Sequence, residues 1–396
     1  MAEAAITPQP RRAMLRWAAV AGAMLLAGCQ TLVPRGTEAP PPPPRTTAPT
    51  RPVTPGMPED TTRHRVALLV PLSGSNAAVG RSIANATQLA LLDTKSEVVR
   101  ITSYDTSGGA AAAAQRAIAE GNRLILGPLL AEDVRAVAPV ARGAGVPLLS
   151  FSNDASVAGS GAYLLGYAPA QSIARVVDYA RRSGISQFAG LIPNGLYGER
   201  ASTAFLRAVE GAGGSVTAIQ TYDRSAGSIT AAAARLRGKP FQAVLVADAV
   251  GSATVAVPAL RRGGATGARV LGTELWNADS GIGSNTALSG AWFASVSNTL
   301  YRQYAAKYRA RFGSGPYRLS SLGYDAVLLT VRIARDWRVG DRFPEARLTD
   351  RDGFAGLDGA FRFGRDGVAE RALEVQEIRA GQTVTVSPAP AGFSGR

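Results

Sequence analysis

"RVALLVPLSG" (65–74) sets one arginine ahead of five apolar residues, then a proline and a Ser-Gly turn. A continuous apolar run of this length, closed by turn residues, is the pattern of a strand buried on both faces. The next stretch, "AAVGRSIANATQLALLD" (77–93), changes period: Val79, Ile83, Ala86 and Ala90 fall on one helical face. The alternation then repeats. "VVRITSYDTSG" (98–108), "RLILGPLL" (123–130) and "VPLLSFS" (146–152) are further expected strands, separated by helical segments. Strands joined through helices imply an α/β fold with a parallel sheet covered on both sides.

A break at "NDASVAGSGAYLLGYAP" is followed by a second round. A helix over about 169–183 precedes strands "QFAGLIPN" (187–194), "SVTAIQTYD" (215–223), "AVLVAD" (243–248) and "RVLGTELW" (269–276). Two Rossmann-like lobes with a cleft between them are therefore expected. Lobe 1 takes about 64–168 plus crossover segments near 292–340. Lobe 2 takes about 169–290 plus C-terminal elements, and 381–396 is expected to be a loose tail. "GLDGAFRFGRDGVAERALEVQEIRAG" reads as a hairpin turning at Arg365-Asp366-Gly367. The stripe Tyr301, Tyr304, Tyr308 and Phe312 is either core packing or a docking surface.

The first sixty residues differ in character. Arg11, Arg12 and Arg16 precede an apolar run from Trp17 to Leu26, the layout of a signal peptide over 1–28. The run is shorter than the roughly 20 apolar residues that span a bilayer. Leu26-Ala27-Gly28-Cys29 resembles the bacterial lipobox, which implies cleavage before Cys29 and a new N-terminal cysteine that carries acyl chains. Gln30, rather than Asp, after that cysteine implies the outer membrane. The segment 29–63 is rich in Pro and Thr, with five prolines from Pro40 to Pro44. It cannot bury enough apolar surface to offset chain entropy and reads as a disordered spacer, with a reach of roughly 100 Å if extended.

The formal charge is +14, and the signal peptide carries +2 of it (three Arg against Glu3), leaving +12 (14 − 2). The arginines are scattered singly along helices rather than gathered with aromatics, so a nucleic-acid partner is not expected. Chemistry is scarce as well. His64 is the only histidine, and Lys95, Lys239 and Lys307 each lack a serine three positions earlier. Ser-His-Asp, His-based metal and Ser-x-x-Lys sites are therefore absent from the pattern. No catalytic residue, cofactor or metal is expected.

The order of segments from about Arg65 to Ile378 resembles the type I periplasmic-binding-protein fold of the branched-chain amino-acid receptors. The carrying stretches are "ALLVPLSG", "YDTSG", "LILGPL", "VPLLSFSND", "LIPNGLYGER" and "FRFGRDGVAE". The resemblance implies ligand contacts at strand ends facing the cleft: Ser73 and Ser75, Ser152 and Asp154, and Tyr197 and Glu274 from the second lobe. Glu274 would pair with a ligand ammonium. "GPLLAEDV" departs from the pattern, offering Glu132 and Asp133 where a carboxylate-binding hydroxyl is expected. These two acids either complement the dipole of the next helix or bind, and Ser73 and Ser75 either cap a helix or bind.

The same fold with a lipobox and spacer resembles the penicillin-binding protein activators. That likeness implies an outer-membrane lipoprotein in the periplasm which binds a bifunctional penicillin-binding protein and stimulates peptidoglycan synthesis. The alternative is a solute-binding receptor for an amino acid or other small polar ligand, serving a transporter or sensor.

Overall fold

A computed structural model describes residues 62–393; the expected signal peptide, Cys29 and the spacer through residue 61 lie outside the described residues. The chain opens with β1 (His64–Val70), α1 (Ala77–Thr94), β2 (Val99–Asp105) and α2 (Ala110–Ala119). It continues with β3 (Leu124–Leu126), α3 (Ala131–Ala144), β4 (Leu148–Ser150) and β5 (Ala162–Leu164). These strands pair in parallel in the order β2-β1-β3-β4-β5. The short β5 falls inside the stretch read from sequence as a break.

The opening strand shows why the sheet is covered on both sides. Val66, Leu68 and Val70 enter one core with Leu322, Leu329 and Phe361. Ala67 and Leu69 enter another with Val134, Val137 and Ala141 of α3. All five strand residues are fully buried. The period of two thus serves two cores from one strand, and this is why the sequence shows an unbroken apolar run.

The second lobe repeats the scheme with α4 (Pro169–Arg182), β6 (Gln187–Pro193), α5 (Leu196–Gly211) and β7 (Ser215–Tyr222). There follow α6 (Ala226–Arg235), β8 (Ala243–Val246), α7 (Val250–Arg262), β9 (Arg269–Gly272) and β10 (Trp292–Ser295). Along β6, Ala189 and Leu191 face one core and Phe188 and Ile192 the other.

Helices α8 (Thr299–Phe312) and α9 (Ser320–Ala334) return to the first lobe. Tyr304 and Tyr308 pack there with Ala86 and Leu89 of α1, so the aromatic stripe is core. A small antiparallel sheet of β11 (Phe354–Gly356), β12 (Gly359–Phe363) and β13 (Ala369–Arg371) adds Phe354, Phe361 and Phe363 to the first-lobe core. Finally β14 (Glu374–Arg379) and β15 (Gln382–Ser387) complete a seven-stranded sheet ordered β15-β14-β10-β9-β8-β6-β7.

Two expectations are corrected. The segment at 292–295, assigned to the first lobe, is β10 of the second sheet, between β9 and β14. The chain after Gly381, expected to be loose, forms β15, because its alternating Thr and Val residues pair along β14 from Gln382 to Ser387.

In each lobe the helix after the first strand starts against that strand. A Cβ on Gly80 would lie 1.7 Å from the Pro71 carbonyl oxygen, and one on Gly198 would lie 1.6 Å from that of Pro193. Alanine gains about 1 kcal/mol over glycine in an open helix. Forcing a methyl into a filled space costs about 1–3 kcal/mol, and here the obstacle is backbone. The clash should win. Gly198→Ala is expected to lower the urea midpoint of the whole chain, and an unchanged or raised midpoint would contradict this close approach.

Candidate functional site

The chain passes between the lobes three times: after β5, between β10 and α8, and between β13 and β14. A cavity of about 380 Å³ lies at these crossings, within the range of small-molecule sites. Tyr167 and Ala168 come from the first crossing, Ser295 and Val296 from the second, Arg371 and Leu373 from the third. The first-lobe wall is Val79, Leu129, Leu130, Phe151, Asn153 and Leu319. The second-lobe wall is Gln171 and Ser172 of α4 with Glu274, Leu275, Asn277 and Ala278, which follow β9. A shallower hollow of about 520 Å³ lies between the C-terminal ends of α6 and α7, lined by Leu236, Arg237, Lys239 and Phe241 among others. It touches no crossing and brings no buried charge together.

Of the residues expected at the site, Glu274 reaches the cavity wall. Its Oε1 accepts from the Tyr197 hydroxyl at 3.1 Å, while Tyr197 itself stands behind the wall, also 3.1 Å from Thr273 Oγ1. Glu274 Oε2 is in hydrogen-bond contact with Ser172 Oγ, which also donates to Pro169 O at 3.0 Å. Burial raises the Glu274 pKa, and the hydrogen bonds that Ser172 and Tyr197 donate to it work against that rise.

The other expected residues are placed elsewhere. Ser73 is exposed and donates to Asp105 Oδ2 at 2.7 Å, and the same carboxylate accepts from Leu72 N–H. Ser75 is exposed and does not cap α1, whose N-cap is Asn76. Ser152 is buried, its Oγ accepting from Asp154 N–H at 3.1 Å. Glu132 and Asp133 sit in the first turn of α3, off the cavity wall, where they complement the helix dipole.

Asp154 joins the lobes instead of lining the cavity. Its Oδ2 is 2.7 Å from Arg200 Nη2 on α5 of the second lobe and 3.0 Å from Arg135 Nη2 on α3 of the first. Its Oδ1 accepts from Ser156 N–H at 2.9 Å, capping the short turn Ala155–Val157. Burial works to raise this carboxyl's pKa, but the bonds from Ser156 and Arg200 outweigh it and hold the group below its ordinary value.

Arg318 and Arg371 were not anticipated, yet both stand at the cavity wall. Arg318 Nη2 pairs with Asp358 Oδ1 at 2.8 Å, deep in the protein. The Arg371 guanidinium lies over the rings of Tyr167 and Phe361, at 5.0 and 5.3 Å. Gln171 braces this strand by donating to Ala369 O at 2.7 Å and accepting from Arg371 N–H at 3.0 Å. The sequence carried a signal for Arg371. In the alternation of β13, Ala369 and Arg371 point inward and Glu370 outward, so a charge occupies an apolar parity.

Two α/β lobes hinged at three crossings around one cavity define a bilobal binding protein. The chain belongs to the periplasmic binding protein family, whose sequence profile matches residues 64–383. A leucine-binding protein from Thermotoga maritima shares the fold at a TM-score of 0.62 and 20% identity, over 82% of this chain and 98% of that one. A solute-binding protein of an ABC transporter from Rhodopseudomonas palustris, in complex with 3,4-dihydroxybenzoic acid, does so at 0.65 and 18%, over 83% and 97%. An uncharacterized protein from Rickettsia prowazekii is 27% identical over 139 residues, spanning 35% of this chain and 37% of that relative's length.

Asp154→Asn keeps the turn's acceptor but removes the charge between the lobes. Small-angle scattering should show a larger radius of gyration, with a loss of about 1 kcal/mol in stability, since Arg135 is half exposed and screened. Because the folded carboxyl titrates below its unfolded value near 4, its contribution is complete above about pH 4 and is lost as pH falls further. Wild type and variant should therefore converge in acid. Equal radii at pH 7 would show that Asp154 does not hold the lobes.

Proposed function

We propose that this chain is a periplasmic solute-binding receptor that closes its lobes on one small, largely apolar molecule. The observation that carries this reading is the open cavity of about 380 Å³ at the three crossings, with Leu129, Leu130, Phe151 and Leu275 on its walls. Apolar walls with a few convergent polar groups are the usual make-up of a small-ligand site. The relatives support the scale: one is a leucine-binding protein and another holds 3,4-dihydroxybenzoic acid.

Regulation of a peptidoglycan synthase is the reading suggested by the lipobox and spacer. It asks for a docking surface and has no use for a cavity, so the cavity favours the receptor. A lipid on Cys29 is compatible with either role and would hold the receptor at the envelope, with the outer membrane as the proposed address. Among the described residues no helix is long and apolar enough to cross a membrane.

Mass spectrometry of what denaturation releases from protein purified without refolding should find one small molecule, close to one per chain. Added back to refolded protein at 100 times its dissociation constant, it should stabilise the fold by about 2.7 kcal/mol. Ala278→Trp, which puts an indole into the cavity from an exposed wall position, should abolish that gain. If nothing is released and a cell-wall synthase is captured by cross-linking instead, the receptor reading fails and the regulator reading takes its place.

A further inference from the structure

The basic residues of the second lobe are scattered along the sequence but not in space. From Arg224 to Arg269 the chain holds seven basic residues and a single acid, Asp248. Asp248 is buried past the C-terminal end of β8, where it pairs with Arg224. The other end of the same sheet is left to the cations. There the hollow of about 520 Å³ lies ahead of two strands, with Phe241 leading into β8 and Ala268 into β9. The cavity between the lobes follows the C-terminal ends of β9 and β10, so hollow and cavity sit at opposite ends of the second sheet.

Donors without acceptors line this hollow. Arg237 and Lys239 are exposed on its rim, and among the described residues no carboxylate pairs with either. The backbone N–H groups of Gly238, Phe241 and Gly267, which also line it, have no acceptor among the described residues. Carbonyls at the helix ends are already used: Leu236 O accepts from Lys239 N–H and Leu260 O from Ala265 N–H, each at 3.1 Å.

Basic residues at a helix C-terminus complement its dipole, which accounts for Arg261 and Arg262 in the last turn of α7. It does not account for Arg237 and Lys239, which lie beyond α6. The two helix ends bring about −0.5 each against these four cations, leaving about +3. Beneath the rim lie Leu236 and Leu260, nearly covered, and the half-buried Phe241. Such a hollow fits an apolar side chain with acids on either side. A bilayer fits poorly, because no large apolar side chain projects from the rim to enter it.

We propose that this end of the second lobe is a docking surface for an acidic segment of a partner protein, which seats an apolar side chain over Phe241 and sets its carboxylates on Arg237, Lys239 and the unpaired N–H groups. With the cavity at the other end of the sheet, the partner holds the protein without blocking ligand entry. The surface is therefore independent of what the cavity takes.

The test uses the full chain in its native envelope, with a photoreactive benzophenone side chain in place of Thr266, which is exposed and precedes Gly267 of the rim. Irradiation should join it to one protein, and mass spectrometry of the linked peptides should place the bond in a segment where acids flank an apolar residue. Arg237→Glu together with Lys239→Glu should lower the yield of that adduct at least tenfold. Salt at about 1 M, which shortens the Debye length to about 3 Å, should lower it too. Arg237→Lys together with Lys239→Arg keeps the charge and should keep the adduct. The salt dependence is read on the wild-type rim, so a misfolded variant leaves the result readable.

An adduct with lipid, glycan or nucleic acid, a linked segment without acids, an adduct that survives charge reversal, or no adduct at all overturns the proposal. Each of these leaves the receptor reading untouched, because the molecule released on denaturation is measured separately.

Discussion

The ion pair between Arg318 and Asp358 is the constraint on which the cavity depends. Both groups are buried, and the hydroxyls of Ser321 and Tyr167 complete the carboxylate. The partners come from distant parts of the chain: Arg318 just before α9, Asp358 between β11 and β12, and Tyr167 in the first crossing. Removing one member would strand the other charge in the interior, at a cost of about 3–5 kcal/mol. The pair therefore pins a helix, a small sheet and a crossing in one arrangement. That arrangement is the first-lobe wall of the cavity, with Arg371 packed beside it between Tyr167 and Phe361.

Closure around a ligand is compatible with this rigidity because the lobes do not share a core. β1 feeds two apolar clusters in the first lobe and β6 two others in the second. Rotation at the crossings leaves all four intact, so binding energy need not offset the opening of any of them. The polar contacts between lobes include Asp154 to Arg200 and Gln171 of α4 to Ala369 and Arg371 of β13. A ligand that touches both walls then has differential affinity for the closed state, the requirement for shifting such an equilibrium.

The α/β alternation was legible because buried parallel strands and amphipathic helices write different periods into the sequence. The site was less so, for a physical reason. Ser73 and Ser152 follow β1 and β4, and their hydroxyls serve the loops: Ser73 bonds Asp105 and Ser152 bonds the Asp154 backbone. Position along a strand does not say which neighbour a short polar side chain chooses. Asp325 and Arg371 did leave a trace, since each puts a charge on the buried face of its element, Asp325 among Leu322, Ala326 and Leu329 of α9. What no local pattern could reveal is that these faces meet, since helix, strand and crossing come together only through tertiary packing.

The account stands or falls on what occupies the space between the lobes. The most direct measurement is a crystal structure of the protein purified from its native envelope without refolding. The account predicts connected density for one small molecule at the three crossings, in contact with both walls and with the lobes closed upon it. A cavity holding ordered water alone, or collapsed onto its own side chains, would contradict it.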